Sequence, residues 1–303
     1  MVPRIDVLTL FPELVEAVCD SSIIGRALAA GHFELRTHQI RDFADNDYGK
    51  VDDTLYGGGT GMLMSCQPIY DCLRAALAGR AVSACEFDPD VPSDDPGSPS
   101  DEAGGTTPRL IYMSPKGRVL DQEYIAELAA ARHLLILCGH YEGVDERVIE
   151  FVGFEEVSIG DYVLTGGELP ACVLIDAVAR QWPGVLPDSA AWQEESHFSG
   201  MLEAKQYTKP QEWQGLTVPE VLLSGHHAQI DRWRYLSGLS ETLHKRPDLF
   251  VRLNLSREDY AALAEFERER SVEFERSFEL ERSDELERKA GNPNGKQTSS
   301  NSK

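Results

Sequence analysis

Three stretches of this chain place glycine beside a hydroxyl, a carboxylate or an aromatic ring, each directly after an apolar run. They are Ser114-Pro115-Lys116-Gly117, Cys138-Gly139-His140-Tyr141-Glu142-Gly143, and Ser158-Ile159-Gly160-Asp161-Tyr162-Val163-Leu164-Thr165-Gly166-Gly167-Glu168-Leu169-Pro170. With no Cβ in the way, such loops can offer backbone N–H and C=O groups to a flat ligand. Any one of them is compatible with ordinary turn chemistry, but three in this order are more specific. The third also carries Thr165-x-x-Glu168 ahead of an apolar run, the spacing of a capping box at a helix start. A further cluster, Tyr56-Gly57-Gly58-Gly59-Thr60-Gly61-Met62, fails as a phosphate loop because Met62-Leu63 stands where Lys-Ser/Thr is required. It fails as a dinucleotide fingerprint as well, since Met62 takes the place of the third glycine and no strand is predicted to lead into it. Alone it denotes a backbone that bends tightly or admits a close neighbour.

The elements that must hold these loops are legible from apolar periodicity. Residues 5–10, 33–37, 110–114, 133–138 and 155–159 read as strands, the third and fourth apolar enough to be buried on both faces. Residues 12–29, 67–78, 121–131 and 168–180 read as helices, so the order is that of an α/β domain on a parallel sheet. Loops after buried strands then open at the carboxyl edge, where such sheets bind ligands. Residues 187–200 are polar and aperiodic and read as a linker. Ile230, Trp233 and Leu236 are spaced for helix, so 201–270 is expected to be a small all-α domain in which Trp233 is core.

Composition excludes several classes of function. The 303 residues carry 51 acidic and 29 basic side chains, a net charge of −22, so nucleic acid cannot be held by a general positive field. Any such contact must be local, and residues 203–252, with seven bases against six acids, are far less acidic than the whole. Residues 83–108 contain seven carboxylates, five prolines and no base, which reads as a disordered insertion in a loop. From Glu265 to the end lie ten acids and eight bases, and 271–303 reads as a charged, largely unstructured tail. No apolar run reaches the length of about 20 residues that a membrane helix needs. The first residues resemble a strand rather than a signal peptide, so a cytoplasmic location is expected. Six cysteines without a C-x-x-C pair read as reduced, mostly buried thiols.

Asp52-Asp53, the Tyr56–Met62 glycine cluster, Tyr112-Met113-Ser114-Pro115, Cys138-Gly139-His140-Tyr141-Glu142-Gly143-Val144-Asp145-Glu146-Arg147 and the 158–170 loop together resemble the bacterial tRNA (guanine-N1)-methyltransferases of the SPOUT superfamily. Tyr207-Thr208-Lys209-Pro210 and Val221-Leu222-Leu223-Ser224-Gly225-His226-His227 continue the likeness, which spans residues 5–266 apart from 83–108. The resemblance implies a parallel sheet tied into a deep trefoil knot over residues 1–186, a linker at 187–200, a tRNA-binding domain at 201–270, and an obligate homodimer with shared active sites. It implies an S-adenosylmethionine pocket formed by Tyr112, Met113, Ser114, Pro115, Gly139, Tyr141, Glu142, Gly143, Ile159, Gly160, Asp161, Tyr162, Val163, Leu164, Gly166, Gly167 and Pro170. Gly59, Tyr207, Lys209, His226 and His227 would meet the anticodon stem-loop.

Methylating guanine N1 requires removal of its proton by a nearby base, and the negative charge that spreads to O6 must be met by a cation. Arg180 falls where the family has its catalytic arginine, although a cation ending a helix also suits the helix dipole. The family's base is a linker aspartate, and this sequence has Glu195 there, with Glu194 the nearest substitute. Glu142 matches a glutamate associated with Mg2+-assisted catalysis, or it fixes its own loop. The expected activity is methyl transfer from S-adenosylmethionine to N1 of the guanine 3′ to the anticodon. The alternatives are a SPOUT methyltransferase with another RNA target, and a tRNA-binding protein that has lost catalysis.

Overall fold

The computed structural model describes residues 2–78, 107–187 and 196–270. Nearly all of the expected insertion, residues 188–195 of the expected linker, and the tail from 271 lie outside the described residues. The chain divides into two compact units, Met1–Gln193 and Glu194–Lys303.

The first unit runs β1 (Arg4–Thr9), α1 (Pro12–Cys19), α2 (Ser22–Ala29), β2 (Glu34–Gln39), a 3-10 turn (Ile40–Phe43), β3 (Asp52–Thr54), β4 (Met62–Met64) and α3 (Cys66–Ala78). It continues with β5 (Arg109–Val119), α4 (Gln122–Ala130), β6 (His133–Cys138), α5 (Glu146–Val152), β7 (Glu155–Ser158) and α6 (Glu168–Ala179). Five strands form a parallel sheet in the order β2-β1-β6-β5-β7. This is the α/β architecture expected from the apolar runs. β1 and β6 are buried along their whole length. Alternation along β6 explains the three layers: Leu134, Ile136 and Cys138 pack with α1, α4 and α6, whereas Leu135 and Leu137 pack with α3 and α5.

Three local expectations need correction. The single helix expected over 12–29 is two helices, because Asp20, Ser21 and Ser22 interrupt it. Ser21 Oγ donates to the Val18 carbonyl at 2.7 Å, and Ser22 has φ +56°. The capping box does not form. Gly167 is the N-cap of α6 without a side-chain cap, and the buried Glu168 carboxylate instead accepts from Thr9 Oγ1 at 2.8 Å. The glycine cluster does have strands beside it, since β3 and β4 pair antiparallel on either side of it. Their three-residue length hid them from any periodicity.

One buried ionic network ties three strands together. Asp6, fully buried on β1, hydrogen-bonds His133 Nε2 at 2.8 Å, His38 Nε2 at 2.7 Å and Arg4 Nη2 at 2.6 Å. Burial pushes the Asp6 carboxyl up, but the bonds from His133, His38 and Arg4 outweigh it and hold its pKa well below the usual range.

The second unit contains α7 (Glu220–Leu223), α8 (His227–Lys245), α9 (Pro247–Phe250) and helical residues 257–270. Its core gathers Leu236, Leu239, Phe250, Leu263 and Phe266, with Trp233 packed against them as expected. It is not purely helical, because β8 (Glu212–Trp213) and β9 (Leu216–Thr217) form a short antiparallel ribbon. Gln214 and Gly215 both have positive φ, the geometry of a tight two-residue hairpin, and strands this short leave no period to read. Among the described residues no helix is long and apolar enough to cross a membrane, and Cys19, Cys66, Cys72, Cys138 and Cys172 are all free thiols, Cys66 half-buried and the others buried.

Replacing Asp6 by Ala strands two imidazoles and a guanidinium, and is expected to lower the unfolding free energy by about 3–5 kcal/mol in urea titrations. The native pKa lies below the unfolded one, so this contribution is complete above roughly pH 5 and is lost as pH falls through the native value. Asp6→Asn should therefore flatten the acid limb of the stability profile; an unchanged acid limb would show that the network is not its source.

Candidate functional site

The site is assembled from the loops at the carboxyl ends of β5, β6 and β7. The first is an excursion within β5: pairing with β7 breaks between Met113 and Arg118, which frees residues 114–117 from the ladder. The second begins at Gly139 and closes with a bond from the Gly143 N–H to the His140 carbonyl at 3.1 Å. Tyr141, inside that turn, has φ +59°. In the third, the Gly160 N–H donates to Ser158 Oγ at 3.1 Å, so the strand end itself shapes the turn.

The third loop then returns to the second. His140 and Gly166 form an isolated antiparallel bridge, and the Gly167 N–H donates to the Gly139 carbonyl at 2.8 Å. A Cβ on Gly167 would lie 2.8 Å from Cys138 Cα and 2.9 Å from the Gly139 nitrogen, both unyielding backbone atoms. A Cβ on Gly139 would meet the Tyr112 ring at 2.9 Å. Glycine is therefore a packing requirement at 167, whereas at 139 a side chain would have to displace the Tyr112 ring.

Together the loops enclose a cavity of about 350 Å³, within the usual size range of small-molecule sites. Every residue expected to hold a cofactor lines it except Asp161. Asp161 is exposed at the centre of a three-residue turn closed by the Tyr162 N–H and Gly160 carbonyl at 2.9 Å. The walls also include Leu63, Lys116, His140 and Glu146, which were not singled out as site residues. Lys116 and His140 lie inside the quoted glycine loops and could have been taken with them; Leu63 and Glu146 carried no such signal. Burial pushes the Tyr112 phenol up to about 12, so it stays protonated and can donate a hydrogen bond. The lining combines glycine backbone with aliphatic and tyrosine side chains, and its charged members are Glu142 and the pair Lys116–Glu146, 3.4 Å apart.

The glycine cluster adjoins this cavity. β4 runs beside the second loop: the Glu142 N–H donates to the Met62 carbonyl and the Met64 N–H to the Gly143 carbonyl, each at 3.0 Å. Gly61, at φ +103°, leaves the space that the Glu142 side chain occupies. Gly59 is exposed on the same ribbon, with φ +135°.

The remaining expected residues are elsewhere. Arg180 caps the C-terminal end of α6, whereas the cavity borders the N-terminal end. At 1.5 Å per residue the helix separates them by roughly 18 Å, so one copy of the chain does not bring Arg180 to its own cavity. Glu195 and Glu194 lie outside the described residues. Tyr207, Lys209, His226 and His227 are exposed in the second unit, Tyr207 with its ring 6.1 Å from Trp233 and His226 at the N-cap of α8. No group of three or more metal-ligating side chains occurs among the described residues. Glu142 at the cavity wall fits only the mode in which Mg2+ keeps most of its water and binds few protein carboxylates.

Gly167→Ala is expected to cost about 1–3 kcal/mol through forced separation of packed backbone. Gly57→Ala, where nothing lies within 4 Å, should cost about 1 kcal/mol through its positive φ alone. Chemical denaturation of the two variants checks the order.

A family model described as tRNA (Guanine-1)-methyltransferase TrmD matches residues 3–252. The chain is 50% identical over 250 residues to a tRNA (guanine-N(1)-)-methyltransferase of Ruminiclostridium cellulolyticum, covering 82% of this chain and 97% of that relative. It is 45% identical over 264 residues to one of Desulforamulus reducens, covering 87% and 95%, and 46% identical over 265 residues to one of Moorella thermoacetica, covering 88% and 97%. The loops, the cavity and the glycine ribbon all fall inside the matched span, and the chain belongs to the tRNA (guanine-1)-methyltransferase family.

Proposed function

We propose that this protein methylates N1 of the guanine 3′ to the anticodon of tRNA, with S-adenosylmethionine bound in the cavity at the carboxyl edge of the sheet. The observation that carries the reading is the convergence of the three glycine-bearing loops on one cavity of about 350 Å³ in a chain of this family. Bound there, S-adenosylmethionine supplies a methyl group on a sulfonium. Its adenine would be gripped by backbone groups of the second and third loops, and the cavity-lining carboxylate of Glu142 would favour its positive charge, that of Glu146 being paired with Lys116 at 3.4 Å.

The rest of the chemistry belongs to side chains. In neutral guanine the N1 lone pair is delocalised into the ring and not free to attack, so Glu195 takes the N1 proton as general base, with Glu194 as the substitute. Arg180 meets the negative charge that spreads onto O6. Its place at the far end of α6 supports a homodimer in which the arginine of one copy serves the cavity of the other. The apolar side chains of Leu169 and Val173, exposed one turn apart on α6, support the same assembly. A magnesium ion held by Glu142 would add Lewis-acid stabilisation of the same charge. We read the sheet as tied in a trefoil knot. The return of the third loop onto Gly139 and the tight passage of Gly117 past the Glu156 backbone support this. The second unit, reached through the linker, would hold the anticodon stem-loop through Lys209 and the exposed rings of Tyr207, His226 and His227, while Gly59 faces the unstacked guanine.

The test is transfer of labelled methyl to a tRNA transcript whose guanine 3′ to the anticodon is preceded by another guanine, against one whose acceptor guanine is adenine. Incorporation into the first alone is expected. Cofactor binding without incorporation would identify a binding protein that has lost catalysis, the reading favoured by glutamate in place of aspartate at position 195. Arg180→Ala and Glu195→Gln should each lower kcat by about 100-fold or more with cofactor affinity nearly unchanged. A fully active Glu195→Gln protein would place the base elsewhere.

A further inference from the structure

Arg41 is used by nothing described so far, yet it bridges two segments at the rim of the cavity. It sits in the 3-10 turn Ile40–Phe43, anchored by the fully buried Ile40. One guanidinium nitrogen, Nη1, donates to the Gly49 carbonyl at 3.2 Å, and the other, Nη2, donates to the Tyr141 phenol oxygen at 3.1 Å. The Gly49 carbonyl is a fixed acceptor because the side chain of Asn46 builds its turn. Asn46 Oδ1 accepts from the Lys50 N–H at 2.9 Å and the Tyr48 N–H at 3.2 Å, and Nδ2 donates to the Lys50 carbonyl at 2.7 Å.

Tyr141 needs such support. It lines the cavity, its side chain is 41% exposed, and its φ of +59° is one that a non-glycine residue adopts only when its surroundings impose it. Its ring also meets the His140 ring edge-on, at 5.0 Å between centroids. A planar guanidinium held at one end by a rigid carbonyl fixes the phenol in direction as well as distance, which the flexible ammonium of a lysine would not.

We infer that Arg41 is a positioning residue: by holding the Tyr141 phenol it pre-orders the second loop for S-adenosylmethionine, reducing the ordering cost of binding. The inference rests on the reading of the cavity as the S-adenosylmethionine site.

The test is a double-mutant cycle on the full chain, with the dissociation constant for S-adenosylmethionine measured by calorimetry. Arg41→Ala and Tyr141→Phe should each weaken binding by about three- to tenfold, and the double variant should be no worse than the weaker single one. Arg41→Lys should fall between the wild type and Arg41→Ala, and in turnover the loss should appear in KM for S-adenosylmethionine more than in kcat. Multiplicative effects, or an unchanged dissociation constant in Arg41→Ala, would overturn the inference. So would a variant that binds S-adenosylmethionine normally but tRNA more weakly with a shallower salt dependence, since Arg41 would then be a phosphate contact. Failure of the unmodified protein to bind S-adenosylmethionine would remove the cavity reading and this inference with it.

Discussion

The site depends on one close backbone contact, the bond of 2.8 Å from the Gly167 N–H to the Gly139 carbonyl. It joins the loop after β7 to the loop after β6, and it exists because Gly167 carries no Cβ. With any other residue at 167 the new atom would press on Cys138 Cα. The sheet supplies the rest of the geometry, since β5, β6 and β7 are parallel neighbours and end on the same edge. Glycine lets the two loops touch, and their touching closes the cavity between them.

That contact is held from below by polar bonds that offset their own burial. Glu168 opens α6 and would be a costly charge in the interior without the Thr9 hydroxyl, which reaches it from the end of β1. Asp6 serves β2, β1 and the central strand β6 in the same way, with two imidazoles and a guanidinium around one carboxylate. In both cases a side chain on β1 links elements far apart in sequence. The first strand therefore aligns the sheet, and the sheet aligns the loops.

Charge and distance organise the proposed chemistry. A chain of net charge −22 cannot hold RNA by attraction at large, so contact must be confined to patches such as the exposed Lys209 and the histidines at the start of α8. The lack of a phosphate loop fits a cavity whose walls are glycine backbone with aliphatic and tyrosine side chains. Arg180 and the cavity sit at the two ends of one helix, which is why a second copy of the chain belongs in the proposed mechanism.

Much of this was legible from residue types. The apolar run at 133–138 revealed a strand buried on both faces, whereas the one at 110–114 proved buried on one face and half-buried at Leu110 and Tyr112 on the other; the glycine loops revealed where the sheet would be open, because the absence of Cβ is a property of the residues themselves. Short-range patterns misled where a distant partner competed. Thr165-x-x-Glu168 has capping-box spacing, but Thr9 claims the carboxylate; the three-residue strands beside Gly57–Gly61 pair with each other, and β4 also bonds to the second loop. Arg41 offered no signal at all, since its acceptors lie eight and one hundred residues away. The order of residues thus settled the fold class, the loops and the family. Folding alone decided which loops touch, where the cavity closes and which end of α6 holds Arg180, because those are distances between parts of the chain that no local pattern encodes.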